Sequence, residues 1–112
     1  MIIRPLFSGS SGNCTYIEYE NTSLLVDAGV SGKKIIKALE SIGKCIESID
    51  GILVTHEHTD HISSVGTLSR KYDIPVYATK GTWQSMFHGI GGIYKDLINI
   101  VANGRDFSIG NI

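Results

Sequence analysis

The sequence predicts an α/β fold. Short apolar runs that suit strands, such as Leu24-Leu25-Val26 and Ile52-Leu53-Val54, alternate with segments whose apolar residues recur every three or four positions. Both runs are continuous rather than alternating, which is the pattern of strands covered on both faces. Thirteen glycines in 112 residues punctuate these short elements, and no repeat at a solenoid period is present.

Each element has a local reason. Ile2 to Phe7 reads as a first strand, and Pro5 assigns it to a sheet edge or a break. Ser8-Gly9-Ser10-Ser11-Gly12-Asn13 has a linker's composition but joins two strands, because Cys14 to Tyr19 is again extended. Glu20-Asn21 is a hairpin turn into a strand from Thr22 to Asp27. After the turn Ala28-Gly29-Val30, Ser31 can cap a helix running to about Ile42. Ile35, Leu39 and Ile42 form its inner face, and Gly43 is the stop signal. Gly51 to Thr55 is the next strand. A second helix follows, with Ile62, Val65, Leu68 and Tyr72 facing inward. Ile74 to Ala78 is a strand and Lys80 to Phe87 a third helix. Leu97 to Val101 and Arg105 to Ile109 read as two short strands around an Asn103-Gly104 turn.

Composition excludes several classes. The chain length suits one domain, and 42% hydrophobic residues argue against wholesale disorder. A net charge of −1 carries no global basic signal for nucleic acid, although a local patch remains compatible with it. No apolar run approaches the roughly 20 residues of a membrane span, and the first residues lack the pattern of a secretory signal. Cys14 and Cys45 are distant and form no CxxC pair. The expectation is two reduced core thiols in a cytoplasmic protein.

The chemistry concentrates in His56-Glu57-His58-Thr59-Asp60-His61. Three of the four histidines fall within six residues, an arrangement that composition alone would give with odds on the order of a few in ten thousand. In an extended segment the rings of His56 and His58 project to one side. Imidazole and carboxylate are donors that suit Zn²⁺, Mn²⁺ or Fe. His56, His58, Asp60 and His61 could serve one ion, or two ions about 3.5–4 Å apart with two donors each. Asp27 ends an apolar strand. If that strand pairs with Ile52–Thr55, Asp27 and Thr55 lie beside the cluster, where Asp27 can fix a histidine tautomer. The competing role for Asp27 is a turn cap. Glu57 is expected to face solvent and His88 to be a surface residue. Trp83 and Phe87, four apart, are expected to serve packing rather than substrate stacking. Ser10, Ser11, Gly12 and Asn13 form either a plain turn or an anion-binding nest for a phosphate.

These residues resemble the metallo-β-lactamase superfamily, through Leu24-Leu25-Val26-Asp27-Ala28-Gly29 and Ile52-Leu53-Val54-Thr55-His56-Glu57-His58-Thr59-Asp60-His61. Within it the sequence is most similar to the YycJ/WalJ-type proteins, through Ser8 to Cys14 and Ile74 to Trp83. The resemblance implies an αββα sandwich, of which this chain would supply one mixed sheet with flanking helices. It implies a dinuclear site, with His56 and His58 on one ion and Asp60 and His61 on the other. It also implies hydrolysis of DNA from the 5′ end, with Asp60 as a ligand and a proton acceptor. A histidine at position 61 favours the hydrolase and nuclease branches. The same motif serves thioesterases of the glyoxalase II kind and cyclic phosphodiesterases. A non-catalytic metal- or partner-binding half-domain is the alternative of another class.

The later ligands of the family have no match here. After His61 the chain offers only His88, Asp73, Asp96 and Asp106, none in a matching context. A single domain hosting such a site usually needs on the order of 200–250 residues. Residues 1–112 are therefore expected to be the N-terminal half of the domain. The expected consequences are weak metal binding, little activity alone, and self-association through an exposed sheet face.

Overall fold

A computed structural model describes residues 1–102 and 107–112. The chain forms β1 (Ile2–Phe7), β2 (Cys14–Tyr19), β3 (Thr22–Val26), α1 (Gly32–Ser41), β4 (Gly51–Leu53), α2 (Thr59–Ile62), α3 (Val65–Tyr72), β5 (Val76–Thr79), α4 (Lys80–Met86) and β6 (Ile98–Val101). The strands make one sheet in the order β1-β2-β3-β4-β5-β6. β1, β2 and β3 are antiparallel neighbours, whereas β3, β4, β5 and β6 run parallel. This is the expected mixed α/β sheet.

Register explains the core. Tyr16, Leu25, Ile52, Val76 and Ile98 align across five strands and point to one face. That face packs with Ile35 and Leu39 of α1, Val65 and Leu68 of α3, and Trp83 and Met86 of α4. The opposite face carries Ile17, Val26, Leu53 and Tyr77, all only half-buried. Leu24 on that side is buried, and Ile109 from the C-terminal segment is buried as well.

Most element boundaries follow the sequence signals. β1 is an edge strand with an irregularity between Pro5 and Phe7, as the proline requires. The Ser31 hydroxyl caps α1 by accepting from the Lys34 amide, and Gly43 takes φ 77° after the helix end. The Thr79 hydroxyl caps α4 in the same way.

Four expectations need correction. The single helix expected through Tyr72 is two, because the Ser64 amide and hydroxyl both donate to the Ala28 carbonyl and pull the chain off the helical path. β3 stops at Val26 because Asp27 adopts φ 65°, outside the extended region. β4 is shorter than expected, although the Val54 amide still bonds the Tyr77 carbonyl. Phe107–Ile109 is not a strand: Ile109 and Ile112 close a tight turn, and the Asn111 amide donates to the Thr22 hydroxyl. The Asn103-Gly104 turn and the remainder of that strand, residues 105–106, lie outside the described residues.

The cysteines also differ from expectation. Cys14 is buried, but Cys45 is exposed in the link after α1. Burial, with the nearby Asp27 charge, pushes the Cys14 thiol up to about 12. No helix among the described residues is long and apolar enough to cross a membrane.

Candidate metal centre

The parallel pairing of β3 and β4 builds the site. Val26 lies opposite Leu53, so the residues that leave the two strands emerge at the same sheet edge. The Asp27 amide donates to the Leu53 carbonyl and extends that pairing by one bond. This is the juxtaposition of Asp27 and the histidine segment that the sequence pattern called for.

Asp27 is 4% exposed, and its carboxylate is fully engaged. Oδ1 accepts from the Thr55 amide at 2.7 Å. Oδ2 accepts from the Thr55 hydroxyl at 2.6 Å and from His61 Nδ1 at 2.6 Å. A buried carboxylate needs such donors, because leaving it unpaired would cost several kcal/mol. The arrangement also selects a tautomer. A carboxylate only accepts, so His61 carries a proton on Nδ1, and Nε2 is the nitrogen that the neutral ring offers to a metal. The Thr55 hydroxyl spends its one proton on Asp27, so it must accept at its remaining contact, 2.9 Å from His56 Nδ1. His56 is thereby also a donor at Nδ1, and Nε2 is again the nitrogen that the neutral ring offers to a metal. One carboxylate orients two histidines, one directly and one through Thr55.

The other donors lie close by. The His56 and His61 ring centroids are 4.8 Å apart, and those of His56 and His58 are 6.2 Å apart with near-parallel planes. His61 Nε2 stands 3.6 Å from Asp60 Oδ2. Two donors held about 2.1 Å from one ion at a tetrahedral angle would lie about 3.4 Å apart, so this pair fits a shared divalent ion. Among the described residues no group of three or more His, Cys, Asp or Glu side chains gathers around one point. Asp60 and His61 are the pair whose donor atoms stand at a ligand-to-ligand spacing.

The Ser8–Asn13 loop folds onto this edge. The Asn13 amide donates to the Asp60 carbonyl at 2.8 Å, and the Asn13 carbonyl accepts from the Gly29 amide at 2.8 Å. A Cβ on Gly29 would collide with the Asp60 carbonyl, and one on Gly12 would strike Val30 and the Gly29 carbonyl. Both glycines are thus required by close approach. The Gly9, Gly12 and Asn13 amides all have protein acceptors. Ser10 and Ser11 are exposed.

The remaining residues fall away from this cluster. Glu57 and His88 are exposed, as expected. Trp83 is buried, with its indole N–H on the Asn99 carbonyl, but Phe87 is 44% exposed, so the expected packing holds for Trp83 alone. A groove of about 620 Å³ runs between α1 and α3, lined by Lys33, Ile36, Lys37, Leu68, Lys71 and Tyr72 among others. It contains none of the histidine segment, whose residues up to Thr59 sit exposed on an open edge. Sequence reasoning missed one participant's role: Asn13 was legible only as a loop residue, because its bonds to Asp60 span 47 positions.

Residues 8–110 match the family model of the metallo-β-lactamase superfamily. The chain belongs to that superfamily. It is 47% identical over 107 residues to exodeoxyribonuclease YycJ of Bacillus anthracis, covering 96% of this chain and 40% of that protein. It is 46% identical over 109 residues to exodeoxyribonuclease WalJ of Streptococcus pneumoniae, again covering 96% and 40%. The chain thus spans about two fifths of the length of these curated superfamily members. The Rm3 metallo-β-lactamase superposes with a TM-score of 0.73 at 24% identity, over 92% of this chain and 44% of that one. That likeness concerns the fold, and superfamily membership implies divalent metal ions.

Proposed function

We propose that this chain supplies metal-binding residues of a DNA exonuclease that hydrolyses phosphodiesters from the 5′ end. The observation that carries the reading is the Asp27 network, which engages Nδ1 of His56 and His61 and leaves Nε2 as the nitrogen open to a metal, that of His61 3.6 Å from Asp60 Oδ2. The names of the relatives, exodeoxyribonucleases at 46–47% identity, support DNA as the substrate. In this reading residues 1–112 are the N-terminal part of a superfamily domain, and further ligands come from outside them. The relatives' length supports that, since the chain covers 40% of each.

His56 and His58 would hold one ion, and Asp60 and His61 the second, with Zn²⁺ or Mn²⁺ favoured and Fe compatible with the donors. When bound, such ions lower the pKa of a coordinated water toward about 7 and stabilise the attacking and leaving oxygens of an in-line displacement. Asp27 keeps both histidine tautomers ready, so no proton rearrangement is needed at those rings. Asp60 Oδ1, which accepts no hydrogen bond among the described residues, is the oxygen assigned to take the water proton. The exposed hydroxyls of Ser10 and Ser11 are assigned to a substrate phosphate. The protein is placed in the cytoplasm, in keeping with its two unpaired cysteines. Self-association uses the half-buried face of Ile17, Val26, Leu53 and Tyr77.

The test uses 5′-labelled DNA with the chain alone and with the chain joined to the remaining length of the WalJ relative. The expected result is Mn²⁺- or Zn²⁺-dependent release of 5′ nucleotides by the joined protein, abolished by EDTA and by His61→Ala. Little turnover is expected from the chain alone. Metal-independent cleavage, or none from a folded joined protein, would overturn the reading.

A further inference from the structure

The Ser8–Asn13 loop carries one side chain whose bonds do not belong to a simple turn. The Asn13 carboxamide Oδ1 accepts from the Gly9 amide at 3.2 Å, which fixes the side chain's orientation. Its Nδ2 donates to the Gly9 carbonyl at 3.0 Å, to the Asp60 carbonyl at 3.2 Å and to Asp60 Oδ2 at 3.2 Å. All three acceptors are oxygens, so the amide cannot be reversed without losing every one. The Oδ2 it touches is the same oxygen that lies 3.6 Å from His61 Nε2.

We propose that Asn13 is a positioning residue that holds the Asp60 carboxylate in one rotamer, with Oδ2 turned toward His61 Nε2. Three points on the chain support it. Asp60 is only half-buried, so packing alone leaves its side chain free to turn. The main-chain bonds of Asn13 to Asp60 and Gly29 hold the donor at fixed range. The absence of side chains at Gly12 and Gly29 is what lets the three segments close together. The loop is therefore a brace for the second ligand pair. The zinc arm of the test below rests on the proposed metal centre, whereas the rotamer arm does not.

Two variants are needed. Asn13→Ala removes the carboxamide. Asn13→Asp keeps the size and the acceptor for the Gly9 amide but loses the side-chain donor to Asp60, while the main-chain bond remains. Three-bond couplings of Asp60 in the metal-free chain read its χ1 populations, and chelator competition reads zinc affinity. A single Asp60 rotamer is expected in the unaltered chain, with averaging over two or three in both variants. Zinc affinity is expected to fall about 10-fold in Asn13→Ala, the size of effect typical of a residue that orients a ligand. A lower melting temperature with Asp60 still in one rotamer and unchanged zinc affinity would overturn the proposal and leave Asn13 a loop residue. Should the chain bind zinc too weakly to measure, the competition is run on the chain joined to the remaining length of the WalJ relative; no zinc there overturns the metal-centre reading, and the Asp60 couplings alone then decide the role of Asn13.

Discussion

Two carboxylates gather hydrogen bonds at opposite ends of β3. At its C-terminal end Asp27, buried, accepts from the Thr55 amide, the Thr55 hydroxyl and His61. At its start, beside Ser23, Glu18 accepts from the Tyr16 hydroxyl at 2.6 Å and pairs with Lys44 at 2.8 Å. The chemistry is alike, but the surroundings differ. Water can replace the partners of Glu18, and none can reach Asp27. The difference teaches that the Asp27 network must be complete for the edge to fold, whereas the Glu18 network only adjusts an exposed corner.

The largest effect is expected at Asp27. Asp27→Ala leaves the Thr55 amide, the Thr55 hydroxyl and His61 Nδ1 without their acceptor, and places Ala at φ 65°. Urea unfolding should show a loss of about 3 kcal/mol or more. A loss under about 1 kcal/mol would mean that water reaches the site and that the two ends are equivalent. Gly29→Ala comes next, since its Cβ collides with backbone rather than with a flexible side chain. A loss of about 2 kcal/mol is expected, and a neutral outcome would show that the Asp60 segment can shift.

Thiol chemistry gives a third contrast. Buried Cys14, pushed up to about 12, should resist an aromatic disulfide reagent in the folded chain, while exposed Cys45 reacts at once. One thiol is expected before unfolding and two after. The raised value has a further consequence. The unfolded thiol ionises from about 9 and the folded one does not, so stability from Cys14 should fall as pH rises through that interval. Denaturation midpoints at pH 8 and 10 would show it.

The smallest effect is expected at Glu18. The hydrogen bonds from Lys44 and Tyr16 hold its carboxyl below the usual range, and the Glu18 bond raises Lys44. A lowered carboxyl contributes stability above its unfolded pKa and loses it as pH falls through the folded value. That contribution is present at pH 7, so Glu18→Gln should lower the midpoint there, only slightly because the pair is solvent-screened, and should flatten the acid limb. A shift as large as that of Asp27→Ala would erase the distinction between the two ends.

Local signals determined a good deal of this protein. Ser31 and Gly43 bound α1, Pro5 marks an edge strand, and His56, His58, Asp60 and His61 put metal-compatible side chains in one short segment, because each depends on neighbours within a few positions. The break between α2 and α3 was not legible, since it depends on a hydrogen bond from Ser64 to Ala28, 36 positions away. Nor was the left-handed turn at Asp27 that ends β3, or the exposure of Cys45. What only the tertiary structure decided is how the donors are prepared. The parallel pairing of β3 with β4 brings Asp27 to Thr55 and His61, and the loop closure at Gly12 and Gly29 brings Asn13 to Asp60. A sequence displays which atoms can bind. The orientation and protonation of those atoms come from partners that are distant along the chain and meet only when the sheet forms.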